Sequence, residues 1–130
     1  MESNLIVGVS ALKEKVVNEK ESAIHFGSGA VEVYATPALI TLMESTAKDC
    51  VDLHLSLGYT TVGTEVNIRH IKATPVGMKV KCEAILSKIE GKKLTFNIEA
   101  WDEKGKIGEG THVRYMVNTE EFMTRVNSNK

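Results

Sequence analysis

Two different hydrophobic periods divide this chain. Over residues 36–57 apolar positions recur at helical spacing. Thr41, Ser45, Lys48, Asp49 and Asp52 gather into one polar arc at about 100° per residue. "TPALITLMES" supplies the start: Thr36 suits an N-cap, and Pro37 suits the first turn, where its missing N–H has no intrahelical partner to lose. The pattern predicts a helix to about Leu57, with Gly58 as its C-cap. From Thr61 the period becomes two. Val62, Thr64, Val66, Ile68 and His70 share one predicted strand face, and Met78, Val80, Cys82, Ala84 and Leu86 the next. Leu94, Phe96, Ile98 and Ala100 follow, then Ile107, Glu109, Thr111, Val113, Tyr115 and Val117, with turns at "TPVG", "EGKK" and "DEKG".

Residues 5–26 read as mostly extended, with "LKEKVV" and "AIHF" as strands and "GSGA" as a turn. Short turns between the later strands imply an antiparallel meander, and the first strand links back past the helix. The expected class is α+β, one long helix set against a curved antiparallel sheet. A sheet layered on one helix must still manage its edges and outer face, which favours a homodimer.

The chain has 130 residues, which fits one domain with a single core and fraying expected at about 1–5 and 122–130. Its 16 Lys and Arg against 17 Asp and Glu give no electrostatic reason to expect nucleic acid as a partner. The first residues do not read as a signal peptide, and no apolar run approaches the roughly 20 residues of a membrane span. Cys50 and Cys82 sit in apolar runs without a CxxC pair, as reduced buried thiols do. A cytoplasmic protein is expected. The four histidines show no HxxxH or Cys/His spacing, so no metal site is expected.

Three residues stand out, each with a plain alternative. Thr36 has its capping role. Glu44, at the edge of the apolar face beside Ile40, Ala47 and Val51, has Lys48 at the favourable i, i+4 spacing, a pairing worth only about 0.3–0.5 kcal/mol. His70 shares a face with Val66 and Ile68, as many core histidines do. Together they are more informative. A hydroxyl beside the open amides of a helix N-terminus, a partly sheltered carboxylate and an imidazole on the sheet are the parts that acyl transfer to water requires.

"YATPALITLMES", "GYTTVGTEVNIRHIKATPVGMKV" and "GKIGEGTHVRYMVN", in that order, resemble the hot-dog-fold thioesterases, in particular the fluoroacetyl-CoA thioesterase group. The most specific element is "ATPA" with a glutamate eight residues after its threonine, followed by Gly63 and His70. The resemblance implies a hot-dog fold, hydrolysis of an acyl-CoA, and sites at the interface of a homodimer or a larger assembly. It implies Thr36, Glu44 and His70 as the catalytic set. Glu44 would activate Thr36 or a water, and His70 would orient the thioester or protonate the leaving thiolate. Gly63 would lie near the acyl thioester, although a strand glycine also marks bulges. His112 and Arg114 read as structural or as peripheral CoA contacts, with Arg114 a candidate for substrate binding. Lys72, Lys92 and Lys93 are further candidates for the CoA phosphates. No cofactor is implied beyond the CoA of the substrate. The fluoroacetyl-specific aromatic lid is not carried over, because "IHFGSGAVEVYATP" holds only Phe26 and Tyr34. A short- or medium-chain acyl-CoA, or an acyl-carrier thioester, is the expected substrate. The competing expectation is a silent acyl-CoA sensor of the same fold.

Overall fold

The structure, a computed structural model, describes residues 4–130. Five antiparallel strands form one sheet in the order β1-β3-β4-β5-β2: β1 Ser10–Val16, β2 Tyr59–His70, β3 Lys79–Glu90, β4 Lys93–Asp102 and β5 Gly105–Asn118. β3, β4 and β5 are the expected meander. β2 lies beyond β5 because the chain passes the long helix α2 (Thr36–Asp52) before entering the sheet from the far edge. Helix α2 packs on β1, β2, β3 and β4 through Ala38, Leu39, Leu42, Met43, Thr46, Ala47, Cys50 and Val51, all buried. Facing them are Val80, Cys82, Ala84 and Leu86 of β3 and Leu94, Phe96, Ile98 and Ala100 of β4. Each buried Leu, Met or Phe contributes about 1.5–3 kcal/mol, so this seam is what holds the helix to the sheet. Cys50 and Cys82 are buried and free.

Several local expectations change. Helix α2 ends at Asp52 with Leu53 as its C-cap, five residues before Gly58. Leu53 and Leu57 are almost fully exposed, so no packing supports a further turn. "AIHF" is a short helix, α1 (Ala23–Phe26). The Ser22 side chain accepts from His25 N–H at its start, and Gly27 closes it at φ 72°. Capping chemistry outweighs the extended reading there. The C-terminal segment is helical as α3 (Thr119–Asn127), capped by Asn118, rather than frayed from residue 122. At the other end, residues 1–3 lie outside the described residues. No helix among the described residues is long and apolar enough to cross a membrane.

Two bulges decide which side chains meet the helix. In β2 the pairing with β5 slips between Gly63 and Glu65, leaving Thr64 as the extra residue. Gly63 pairs with Arg114 before it, and Val66, Ile68 and His70 pair with His112, Gly110 and Gly108 after it. Directly paired residues share a face, so Gly63 and His70 both look toward α2. Strict alternation would put them on opposite faces. In β5 the register with β4 slips at Ile107, since Ala100 pairs with Gly108 but Trp101 with Lys106. Ile107 is buried in the core, yet from Gly108 onward the even-numbered positions face the helix. The expected inner set Glu109, Thr111, Val113, Tyr115 and Val117 is therefore replaced by Gly108, Gly110, His112, Arg114 and Met116. Gly108 shows how close the helix comes: a Cβ there would stand 3.0 Å from Leu39 Cδ2.

Candidate active site

Thr36 is the first residue of α2 rather than its cap. Ala35 holds the N-cap position without a side-chain hydrogen bond. The Thr36 hydroxyl is thereby free for a tertiary partner, and Oγ1 lies 2.8 Å from His70 Nδ1. The helical ladder begins with Leu39 N–H donating to Ala35 O, and Pro37 carries no N–H. The amides left outside the ladder at this terminus are those of Thr36 and Ala38, beside the positive end of the helix dipole. Thr36 and His70 line a cleft of about 320 Å³ together with Tyr34, Ile71, Lys72 and Ser28.

The His70 ring completes this pair in a defined way. Burial lowers its pKa below the usual 6.5, while the Lys72 backbone acts in the opposite direction. The neutral ring can accept the Thr36 proton at Nδ1, which places its own proton on Nε2. Nε2 is buried and makes no hydrogen bond among the described residues. An unpaired buried polar atom costs about 1–3 kcal/mol, a cost retained most often where function requires it.

Glu44 belongs to a second cluster. Eight helical residues separate it from Thr36, a rise of about 12 Å. Its expected partner is otherwise engaged: Lys48 Nζ contacts Asp52 at 2.5 Å. Glu44 Oε2 instead lies 3.8 Å from Arg114 Nη1, with the Glu44 side chain 42% exposed and that of Arg114 7%. Arg114 Nε donates to Thr61 Oγ1 at 2.7 Å and Nη2 to the Thr61 carbonyl at 2.9 Å. Burial lowers the Arg114 pKa, and Glu44 and Asp52 oppose that shift. The guanidinium is therefore a buried charge facing Glu44. Lys72 is also engaged, bonding the buried Asp102 carboxylate at 2.8 Å. Gly63 sits against the cluster: a Cβ there would meet Glu44 Oε2 at 2.6 Å. Its bareness makes room for the carboxylate, while the bulge beside it satisfies the plainer reading as well.

The fold thus brings Thr36 to His70, and Glu44 to Gly63 and Arg114, but keeps the two groups apart within one chain. His112, expected as structural or as a peripheral CoA contact, lies against Arg114, a contact that spacing along the chain does not show. The signal lay in "GEGTHVR", whose small and polar residues alternate on the parity that β5 turns inward. Among the described residues, no group of three or more His, Cys, Asp or Glu is placed to hold a metal ion.

The model of the fluoroacetyl-CoA-specific thioesterase family matches residues 17–120. A fluoroacetyl-CoA thioesterase of Streptantibioticus cattleyicolor is 35% identical over 95 residues, which span 73% of this chain and 68% of that protein. A solved structure of a fluoroacetyl-CoA thioesterase aligns with a TM-score of 0.92 at 28% identity over 98% of both chains. A hot-dog-like protein from Thermanaerovibrio acidaminovorans, at 22% identity, shares the fold with a TM-score of 0.87 over 95% of this chain and 91% of its own. Thr36, Glu44, Gly63, His70 and Arg114 all fall inside the span the family model matches, on a fold shared from end to end. This chain is a member of the fluoroacetyl-CoA-specific thioesterase family, hot-dog-fold enzymes that hydrolyse thioesters.

Proposed function

We propose that this enzyme hydrolyses a short- or medium-chain acyl-CoA to the free acid and CoA, working as a homodimer in which Glu44 of one subunit faces Thr36 and His70 of the other. The observation that carries this reading is the 2.8 Å contact of Thr36 Oγ1 with His70 Nδ1 at an open helix terminus inside a cleft. Thr36 transfers its proton to the neutral His70 ring as its oxygen attacks the thioester carbonyl. The amides of Thr36 and Ala38 stabilise the negative charge that develops on the carbonyl oxygen. The C–S bond then breaks, and the CoA sulfur leaves as thiolate and takes a proton from His70. The acyl group is left as an ester on Thr36. Glu44, held by Arg114, takes a proton from the water that attacks it, and as the ester C–O bond breaks the free acid leaves and that proton returns to Thr36 Oγ1. Within one chain the helix keeps Glu44 about 12 Å of rise from Thr36, which favours a site shared between subunits.

The mouth of the cleft supports this substrate class. Ser28 and Ala73 line it, whereas Phe26 lines a separate cavity between α2 and β1. No aromatic side chain of the segment 27–33 roofs the acyl end, and a short aliphatic acyl group fits such a site without fluorine selectivity.

The test is thiol release from acyl-CoAs graded from acetyl to long chain, by wild type and Glu44→Ala. Release from short or medium members, reduced by about a hundredfold or more in a folded Glu44→Ala, is the expected result. Binding of acyl-CoA without thiol release from any member of the series would replace this reading with an acyl-CoA sensor.

A further inference from the structure

Three side chains crowd the space that a Cβ at Gly63 would occupy. Besides Glu44 Oε2, such an atom would meet Arg114 Nη1 at 3.2 Å and His112 Cε1 at 3.2 Å. Glu44 and Arg114 have parts in the proposed reaction, and His112 has none. Yet His112 is only 1% exposed, and both of its ring nitrogens are engaged. Nδ1 lies 2.8 Å from the Glu65 carbonyl oxygen, which can only accept, so the ring proton sits on Nδ1. Nε2 of the neutral ring is then a lone pair, and it lies 3.2 Å from Arg114 Nη1. A guanidinium only donates, so the direction is fixed: Arg114 gives the hydrogen bond and His112 receives it.

The count of Arg114 donors shows what this bond achieves. Nε gives its one hydrogen, and Nη2 one of its two, to Thr61. Nη1 carries two hydrogens, one for His112 and one left for Glu44 at 3.8 Å. Burial lowers the His112 pKa, with the bond to the Glu65 backbone opposing and the Arg114 charge reinforcing, so the accepting ring is the favoured form at neutral pH.

We infer that His112 is a positioning residue: through its neutral Nε2 it fixes Nη1 of Arg114 against Glu44, and thereby sets where the Glu44 carboxylate stands during hydrolysis. Its effect on rate rests on the thioesterase reading above; its hold on Arg114 does not. The competing role is packing alone, since the ring also lies 6.2 Å, centroid to centroid, from Phe96.

Two amide substitutions separate these roles. His112→Asn places an N–H where Nδ1 was, keeping the bond to Glu65, but stops short of Arg114. His112→Gln can bring its carbonyl oxygen to the place of Nε2 and gives up the Glu65 bond. Positioning predicts that Gln keeps kcat within about threefold of wild type, while Asn loses about tenfold or more with KM changed less than about twofold. It also predicts that Asn costs nothing further in a Glu44→Ala background, because the two changes act through one group. Equal losses in Asn and Gln, or an undiminished loss from Asn in the Glu44→Ala background, would mean packing alone and overturn the inference.

A nitrogen-15 spectrum gives a readout independent of turnover. In wild type at pH 7, His112 Nε2 should show the shift of an unprotonated nitrogen, and the Arg114 Nη signals should be resolved by slow rotation. In His112→Asn the Nη signals should average. A protonated Nε2 in wild type overturns the inference without any variant, as do unaltered Nη signals in His112→Asn. If wild type releases thiol from no acyl-CoA, the thioesterase reading fails, and these spectra still decide the part played by His112.

Discussion

Thr36 and His70 meet at an open cleft through a single hydrogen bond, whereas Glu44 is backed by a buried cluster fixed at almost every donor. The first group can exchange partners during a reaction. Thr36 is exposed, and His70 keeps one ring nitrogen without a bond among the described residues. The second group cannot rearrange cheaply, because Arg114 is a buried charge whose Thr61 and His112 contacts compensate its desolvation. The contrast fits a division of labour in which protons move at the helix terminus while a preorganised carboxylate waits two turns below.

The strongest test of that contrast asks whether the two groups serve one site across a subunit boundary. Glu44→Ala and His70→Ala should each lower kcat/KM by about a hundredfold or more. Random mixing of the two inactive variants should then restore about a quarter of wild-type activity, since half the dimers pair unlike subunits and each has one intact site. An assay of the mixed and re-associated proteins that stays at the level of the single variants would place all three residues in one chain.

A smaller effect is expected at Gly63. Its backbone is free of the left-handed strain that demands glycine, so Gly63→Ala should fold, with a modestly lower melting temperature because buried Arg114 Nη1 and His112 Cε1 would each stand 3.2 Å from the new methyl group. The new methyl group must displace the flexible end of Glu44, 2.6 Å away. About a tenfold loss in kcat/KM is expected, measured by thiol release beside a thermal melt. Full activity would show that the carboxylate need not stand where it does.

The two groups should also respond differently to pH. Burial lowers the His70 pKa below 6.5, and protonated Nδ1 cannot accept from Thr36. The rate should therefore fall toward acid pH along a limb centred below 6.5, in a profile of kcat/KM against pH. A limb centred above 6.5 would rule out this role. Stability should follow the same sign. Below pH 6.5 the unfolded chain binds more protons at His70 and His112 than the folded one does, so melting temperatures should drop as pH falls.

The smallest effect is expected at Lys48, whose partner is Asp52 and not Glu44. Lys48→Ala should leave kcat and KM within about twofold and alter stability by less than about 0.5 kcal/mol. A large loss of activity would return Glu44 to a pairing that the fold does not show.

Much of this was legible along the chain. From Val80 to Leu86 in β3 and from Leu94 to Ala100 in β4 every second residue is apolar and buried, so those inner faces follow from period two alone, whereas beyond Leu86 the pairing of β3 slips as well. The spacing of Thr36, Glu44, Gly63 and His70 pointed to acyl-transfer chemistry through its resemblance to a family, and helix α2 follows from Pro37 and the apolar pattern behind it. In β2 and β5 both parities mix polar with apolar residues, so alternation did not reveal an extra residue at Thr64 or Ile107. Nor did it expose Arg114, which charge alone would place on the surface.

The amino-acid sequence by itself determined the elements, the meander and the identities of the residues that can carry chemistry, because helix starts, turns and periods are local properties of a few consecutive side chains. Only the tertiary structure decided that Gly63 and His70 face the same helix, that Thr36 gives its hydroxyl to His70, and that Glu44 answers to Arg114. A β-bulge is settled by pairing with a distant strand, and one unpaired residue turns every side chain beyond it to the other face.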